Sequence, residues 1–159
     1  MKNGLLVVIL LVCLASSVLA ATTTSAGYKN LGFAVTCRTG GTGGLLFNLN
    51  GNSKLGVEAG YVGAGNNSSL GLAGRYEMAL LRPDKNTTCY GAGTLSLVNA
   101  AGTSTLAAAG LVGVEYRLTT YIAVFADLSL LMLSQTGNTT TISLINGSNF
   151  VYTGARVYL

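Results

Sequence analysis

Large apolar residues recur at every second position along most of the chain. From Leu31 to Arg38 they occupy the odd positions, and from Leu70 to Leu80 the even ones. Between Leu106 and Leu118, Ala108, Gly110, Val112, Val114, Tyr116 and Leu118 share one face. Ala107, Ala109, Leu111, Gly113, Glu115 and Arg117 share the other. Between Ile122 and Met132, Asp127 and Ser129 lie opposite Val124, Ala126, Leu128 and Leu130. A period of two belongs to strands, because successive Cβ atoms point to opposite faces. Turn-forming residues cluster at Thr39–Thr42, Asn50–Ser53, Asn66–Ser68, Arg82–Asn86, Ala101–Thr103, Thr119–Thr120 and Thr136–Asn149. The strands predicted between them are 30–38, 43–49, 54–65, 69–81, 87–99, 104–118, 121–135 and 149–159. Gly40-Gly41-Thr42-Gly43-Gly44 is read as a turn, which makes the count even and brings both termini to one end. A kink within one longer strand is the other reading of that run.

Charge placement adds the next constraint. The chain carries 9 basic and 5 acidic residues among 159, far below the roughly one quarter usual for a water-soluble domain. With Lys29 and Lys54 set aside as strand-start residues, eight charges fall within predicted strands: Arg38, Glu58, Arg75, Glu77, Glu115, Arg117, Asp127 and Arg156. All take the face opposite the main apolar stripe, four of each sign, so they can pair. A soluble sandwich would turn its many charges outward to water. Here the charge-free face is the apolar one, which suits a small barrel with lipid outside and small and polar groups packed inside. A sandwich with a polar internal seam is the competing architecture. Tyr61, Tyr76 and Tyr116 take the apolar parity near strand ends, as an aromatic interface belt would.

Residues 1–20, MKNGLLVVILLVCLASSVLA, have the order of a secretory signal: Lys2, an apolar run from Leu5 to Leu14, then small residues ending at Ala20. The uninterrupted apolar run of about ten is short of the roughly 20 residues a spanning helix needs. Cys13 follows Val12, where a lipoprotein signal would have a small residue. The expected organisation is a signal peptide over 1–20 and one β-barrel domain over 21–159.

Taken in order, these features resemble the small eight-stranded outer-membrane barrels, the OmpA-transmembrane and OmpX-like group. The last segment, Phe150-Val151-Tyr152-Thr153-Gly154-Ala155-Arg156-Val157-Tyr158-Leu159, looks like the terminal strand of that group, with Val151, Ala155, Val157 and Leu159 apolar. It departs at Leu159, where a Phe is usual. The resemblance implies an eight-stranded antiparallel up-and-down transmembrane β-barrel in the outer membrane of a diderm bacterium. Its implied partners are outer-membrane lipid and the barrel-assembly machinery, the latter through the carboxy-terminal strand.

Candidate chemistry is sparse. The chain has no His, which rules out a Ser-His-Asp arrangement. Asp127 and Ser129 read as lumen neighbours rather than as a fragment of a site. Gly40–Gly44 lacks the Lys-Ser/Thr of a phosphate loop. Asn66, Asn67, Asn86, Asn138 and Asn146 begin Asn-x-Ser/Thr sequons, which turn chemistry alone explains. Cys37 and Cys89 are expected at opposite rims, too far apart to pair. No catalytic, cofactor or metal residue is expected, and no basic tract for nucleic acid. The site expected is the lumenal charge network itself. The leading expectation is a non-enzymatic outer-membrane barrel with a structural or surface-interaction role and a plugged lumen. A small solute pore and a secreted soluble β-sandwich adhesin are the alternatives. The segment Thr136–Ser148 is expected as the only long loop and the best candidate for contact with a partner.

Overall fold

The computed structural model describes residues 33–39, 41–64, 67–144 and 151–159. The leader over 1–20, Leu31, and the sequons at Asn66 and Asn146 lie outside the described residues. The described chain is all β: β1 (Phe33–Arg38), β2 (Thr42–Asn50), β3 (Ser53–Ala64), β4 (Asn67–Leu81), β5 (Thr87–Ala100), β6 (Thr103–Arg117), β7 (Ile122–Thr136), β8 (Thr139–Leu144) and β9 (Val151–Tyr158). Every pairing is antiparallel. Neighbours in sequence pair in turn from β1 to β7, and β9 then bonds to both β7 and β1. Strands β8 and β9 occupy one place in the ring. The upper half of β7 pairs with β8, from Leu131↔Leu144 to Thr136↔Thr139. The lower half pairs with β9, from Ile122↔Val157 to Leu128↔Val151. The result is an eight-stranded closed barrel rather than two stacked sheets.

Closure is made by β1 and β9, with Val35 opposite Val157 and Cys37 opposite Ala155. Phe33 and Leu159 continue the ladder through Leu159 N–H to the Phe33 carbonyl at 3.0 Å. Gly40–Gly44 contains a turn, not a kink: β1 ends at Arg38, and Thr42 begins the strand that pairs back onto it.

The two ends of the barrel turn the chain by different means. At the end bearing the carboxy terminus, side chains hold the turns. Asn50 Oδ1 accepts from Asn52 and Ser53 N–H, both at 2.9 Å. Asp84 Oδ1 accepts from Asn86 and Thr87 N–H at 2.7 and 2.8 Å. Thr119 Oγ1 accepts from Tyr121 and Ile122 N–H at 3.2 and 3.0 Å. At the opposite end, backbone conformation does the work. Ala101 and Gly102 both have positive φ, 48° and 78°, the requirement of a two-residue type I′ hairpin. Gly137, at φ 57°, opens the β7–β8 hairpin in the same spirit.

Over Thr136–Leu144 that hairpin stands where a long loop was expected at Thr136–Ser148; residues 145–148 lie outside the described residues. Thr139-Thr140-Thr141-Ile142-Ser143-Leu144 is rich in β-branched residues and alternates, so it extends the ladder along β7. Polar composition had concealed the pattern. Three β-bulges, at Leu49, Leu80 and Leu130, each set one extra residue against the partner strand. After the bulge at Leu80 the outward parity changes, and Leu81 is exposed.

The outer surface carries most of the large apolar side chains. Leu45, Phe47, Leu55, Val57, Leu70, Leu72, Leu95, Leu97, Val114, Tyr116, Val124, Val151 and Val157 are all exposed, whereas Glu58, Arg75, Glu77, Glu115, Asp127 and Arg156 are buried. The protein is apolar outside and charged inside.

Candidate functional site

Alternation along each strand sends every second side chain into the lumen, and there the charges meet. Arg38 (β1), Glu58 (β3), Arg75 and Glu77 (β4), Glu115 and Arg117 (β6), Asp127 (β7) and Arg156 (β9) all take part in one set of ion pairs. Asp127 accepts from Arg38 at 2.7 Å and from Arg75 at 3.1 and 3.0 Å. Arg75 also bonds Glu77. Arg156 bridges Glu77 and Glu115 through its two terminal nitrogens. Arg38 lies 3.3 Å from Glu58, and Arg117 lies 3.8 Å from Glu115.

The cluster is larger than the eight residues expected. Lys54, read from sequence as a strand-start residue, extends inward and donates to Glu115 Oε2 at 3.0 Å. It also donates to the Tyr158 hydroxyl at 2.6 Å, and that hydroxyl donates to Glu115 at 2.6 and 2.7 Å. Tyr90 O–H donates to Asp127. Lys54 shares the even parity of Glu58, so strict alternation was the signal that could have found it. With it the cluster has five cations (Lys54, Arg38, Arg75, Arg117, Arg156) and four carboxylates (Glu58, Glu77, Glu115, Asp127).

The lumen also holds bulky rings, which corrects the expectation of small and polar filling alone. Tyr158, Tyr90 and Phe125 are 1%, 3% and 4% exposed. The Arg156 guanidinium stands 4.4 Å from the Phe125 ring centre and 5.3 Å from that of Tyr90. Arg117 stands 4.4 Å from the Tyr158 ring. Such stacking suits guanidinium, a weakly hydrated planar cation. Room for two of these rings comes from glycine. Tyr90 pairs with Gly113 and Phe125 with Gly154. A Cβ at Gly113 would come within 2.5 Å of the Tyr90 ring and of Asp127 Oδ1, and one at Gly154 within 2.6 Å of the Phe125 ring.

Buried charge is tolerable only when paired, and each of the nine charges has an ionic partner, along a strand for Arg75 with Glu77 and Arg117 with Glu115 and across the barrel for the rest. Ser129, 3% exposed, has no hydrogen-bond partner for its hydroxyl among the described residues, while Asp127 is engaged by two arginines and a tyrosine. Nucleophile and base are not assembled there. Cys37 and Cys89 are both free thiols. No group of three His, Cys, Asp or Glu suited to a metal occurs among the described residues.

Two cavities flank the cluster. One, about 40 Å³, lies at the carboxy-terminal end beside Lys54, Glu77, Arg82, Glu115 and Arg117. The other, about 110 Å³, lies toward the opposite rim against β3, β4 and β5. No protein-family model matches the chain, and no curated protein shows detectable similarity to it.

Proposed function

We propose that this chain is a non-enzymatic integral outer-membrane barrel of a diderm bacterium, with a structural or surface-interaction role and a lumen plugged by side chains. The observation that carries this reading is the inversion of polarity: every strand-borne charge among the described residues belongs to the lumenal ion-pair set, while the outer face is apolar. An arginine or lysine facing lipid at mid-membrane would cost about 2–4 kcal/mol. Closure leaves no strand edge for lipid to desolvate through the band where β9 meets β1 and β7. On this reading residues 1–20 direct export and are removed, both ends of the barrel chain face the periplasm, and the β7–β8 hairpin faces outward. Strand β9 is the segment offered to the assembly machinery.

Cell fractionation and cold-detergent electrophoresis test the proposal. The expected result is recovery only with detergent, and a compact form that shifts on boiling. Recovery as a soluble protein without detergent would overturn the membrane reading and favour a secreted adhesin. A small pore is the second reading, supported by the cavities on both sides of the ion-pair cluster. Planar-bilayer recordings separate the two: the plugged barrel gives no sustained conductance, and steady solute flux would replace it with the pore.

A further inference from the structure

We infer that the cavity of about 40 Å³ at the carboxy-terminal end is a binding site for a small monovalent anion, a halide such as chloride. The ion pairs of the lumen form one alternating line that leads to it: Glu58, Arg38, Asp127, Arg75, Glu77, Arg156, Glu115. At Glu115 the line forks to two further cations, Lys54 at 3.0 Å and Arg117 at 3.8 Å. Cations therefore exceed carboxylates by one, and the surplus falls at the fork. The sequence has no acidic side chain left to cancel it. Of its five Asp and Glu residues, four belong to the line. The fifth, Asp84, is engaged on an exposed turn by Thr87 and the Asn86 amide.

The fork faces the cavity. Lys54, Arg82 and Arg117 line it, with Glu77 and Glu115 set behind. Each of those carboxylates is 2% exposed, whereas the Lys54 and Arg117 side chains keep 19% and 17% of their surface. The charged surface that the wall retains is thus mainly cationic. Lys54 Nζ has three N–H donors. Two go to Glu115 Oε2 and the Tyr158 hydroxyl, which leaves one for a ligand. Water could take that bond but brings no charge, and a surplus charge inside a barrel calls for a counter-charge. At roughly 10–15 Å³ for each water, the cavity has room for a halide with a water or two, and too little for a metabolite. One monovalent anion makes the count even. The fork is the same whether lipid or water surrounds the barrel, so failure of the membrane reading would leave this site untouched.

The linewidth of the chloride magnetic resonance, measured with the purified, folded protein, tests the site. Gluconate, too large for the cavity, holds ionic strength constant. The protein should broaden the chloride line saturably, and bromide should reverse the broadening where gluconate does not. Lys54→Met leaves four charges of each sign in the line and should weaken binding by about tenfold or more, because the surplus is gone. Arg117→Met removes the other branch and should act in the same direction, which keeps the test decisive should one variant fail to fold. Lys85→Gln changes an exposed turn cation outside the wall and should leave binding as it was. A line that never broadens overturns the proposal, as does broadening that survives both fork variants. An equal loss with Lys85→Gln would overturn it too, since that reports attraction to positive charge in general.

Discussion

At the scale of single residues, Arg156 carries the greatest consequence. It is fully buried, pairs with both Glu77 and Glu115 and faces two rings. Arg156→Ala leaves Glu77 with Arg75 alone and Glu115 with Lys54, Arg117 and Tyr158, and breaking a buried pair from one side costs about 3–5 kcal/mol. A urea titration should show that loss, or no folded protein at all, whereas Arg156→Lys should recover only part because it cannot fork between two carboxylates. Asp84 acts at the surface. Bonds from Thr87 Oγ1 and from the Asn86 and Thr87 amides hold its carboxyl below the ordinary range. A lowered folded pKa gives stabilisation that is complete above the unfolded value and lost as pH falls through the folded one. The difference in urea midpoint between wild type and Asp84→Asn should therefore shrink on acidification below about pH 4. A difference independent of pH would exclude the carboxylate as its source. Ala101 holds φ 48°, a left-handed conformation that costs an alanine about 1–2 kcal/mol. Ala101→Asn should raise the midpoint, since Asn-Gly is the favoured pair for such a turn.

At the scale of elements, β9 is the strand on which the ring depends, since it bonds to β1 along one edge and to β7 along the other. Removing Thr153–Leu159 should abolish the compact form in cold detergent. Leu159→Phe should leave it intact or raise its yield, because Leu159 is exposed on the outer face. Deleting residues 138–144 removes only pairs to the upper half of β7, so the compact form should survive. The alternation of Val112-Gly113-Val114-Glu115-Tyr116 made β6 legible from sequence, and with it the inward direction of Glu115. Closure of the first strand on the last was legible from the even count. Strand β8 was not, because Thr139–Thr141 carry no apolar contrast for a period of two to register. Phe125 illustrates a different limit. Its parity matched that of Asp127, but a large ring on the charged side makes sense only once Gly154 is known to lie opposite, and that fact belongs to pairing rather than to local pattern.

At the scale of the whole molecule, the lumenal charges come from β1, β3, β4, β6, β7 and β9. Many of the partners are far apart in sequence: Arg38 and Asp127 are separated by 89 residues, Arg156 and Glu77 by 79. A half-formed sheet cannot bring them together. Partners that meet only across the closed ring stay hydrated until it shuts, and closure then strips their water. Opening the finished ring reverses that step, re-exposing nine charges together with no gradual route. The expected signature is hysteresis: urea should unfold the protein at a distinctly higher concentration than the one at which it refolds, and the gap should close slowly with equilibration time. Arg156→Met, which lightens the load of charge to be rehydrated, should narrow it. The interior salt thus acts less as glue than as a latch, setting how long the closed form lasts once made.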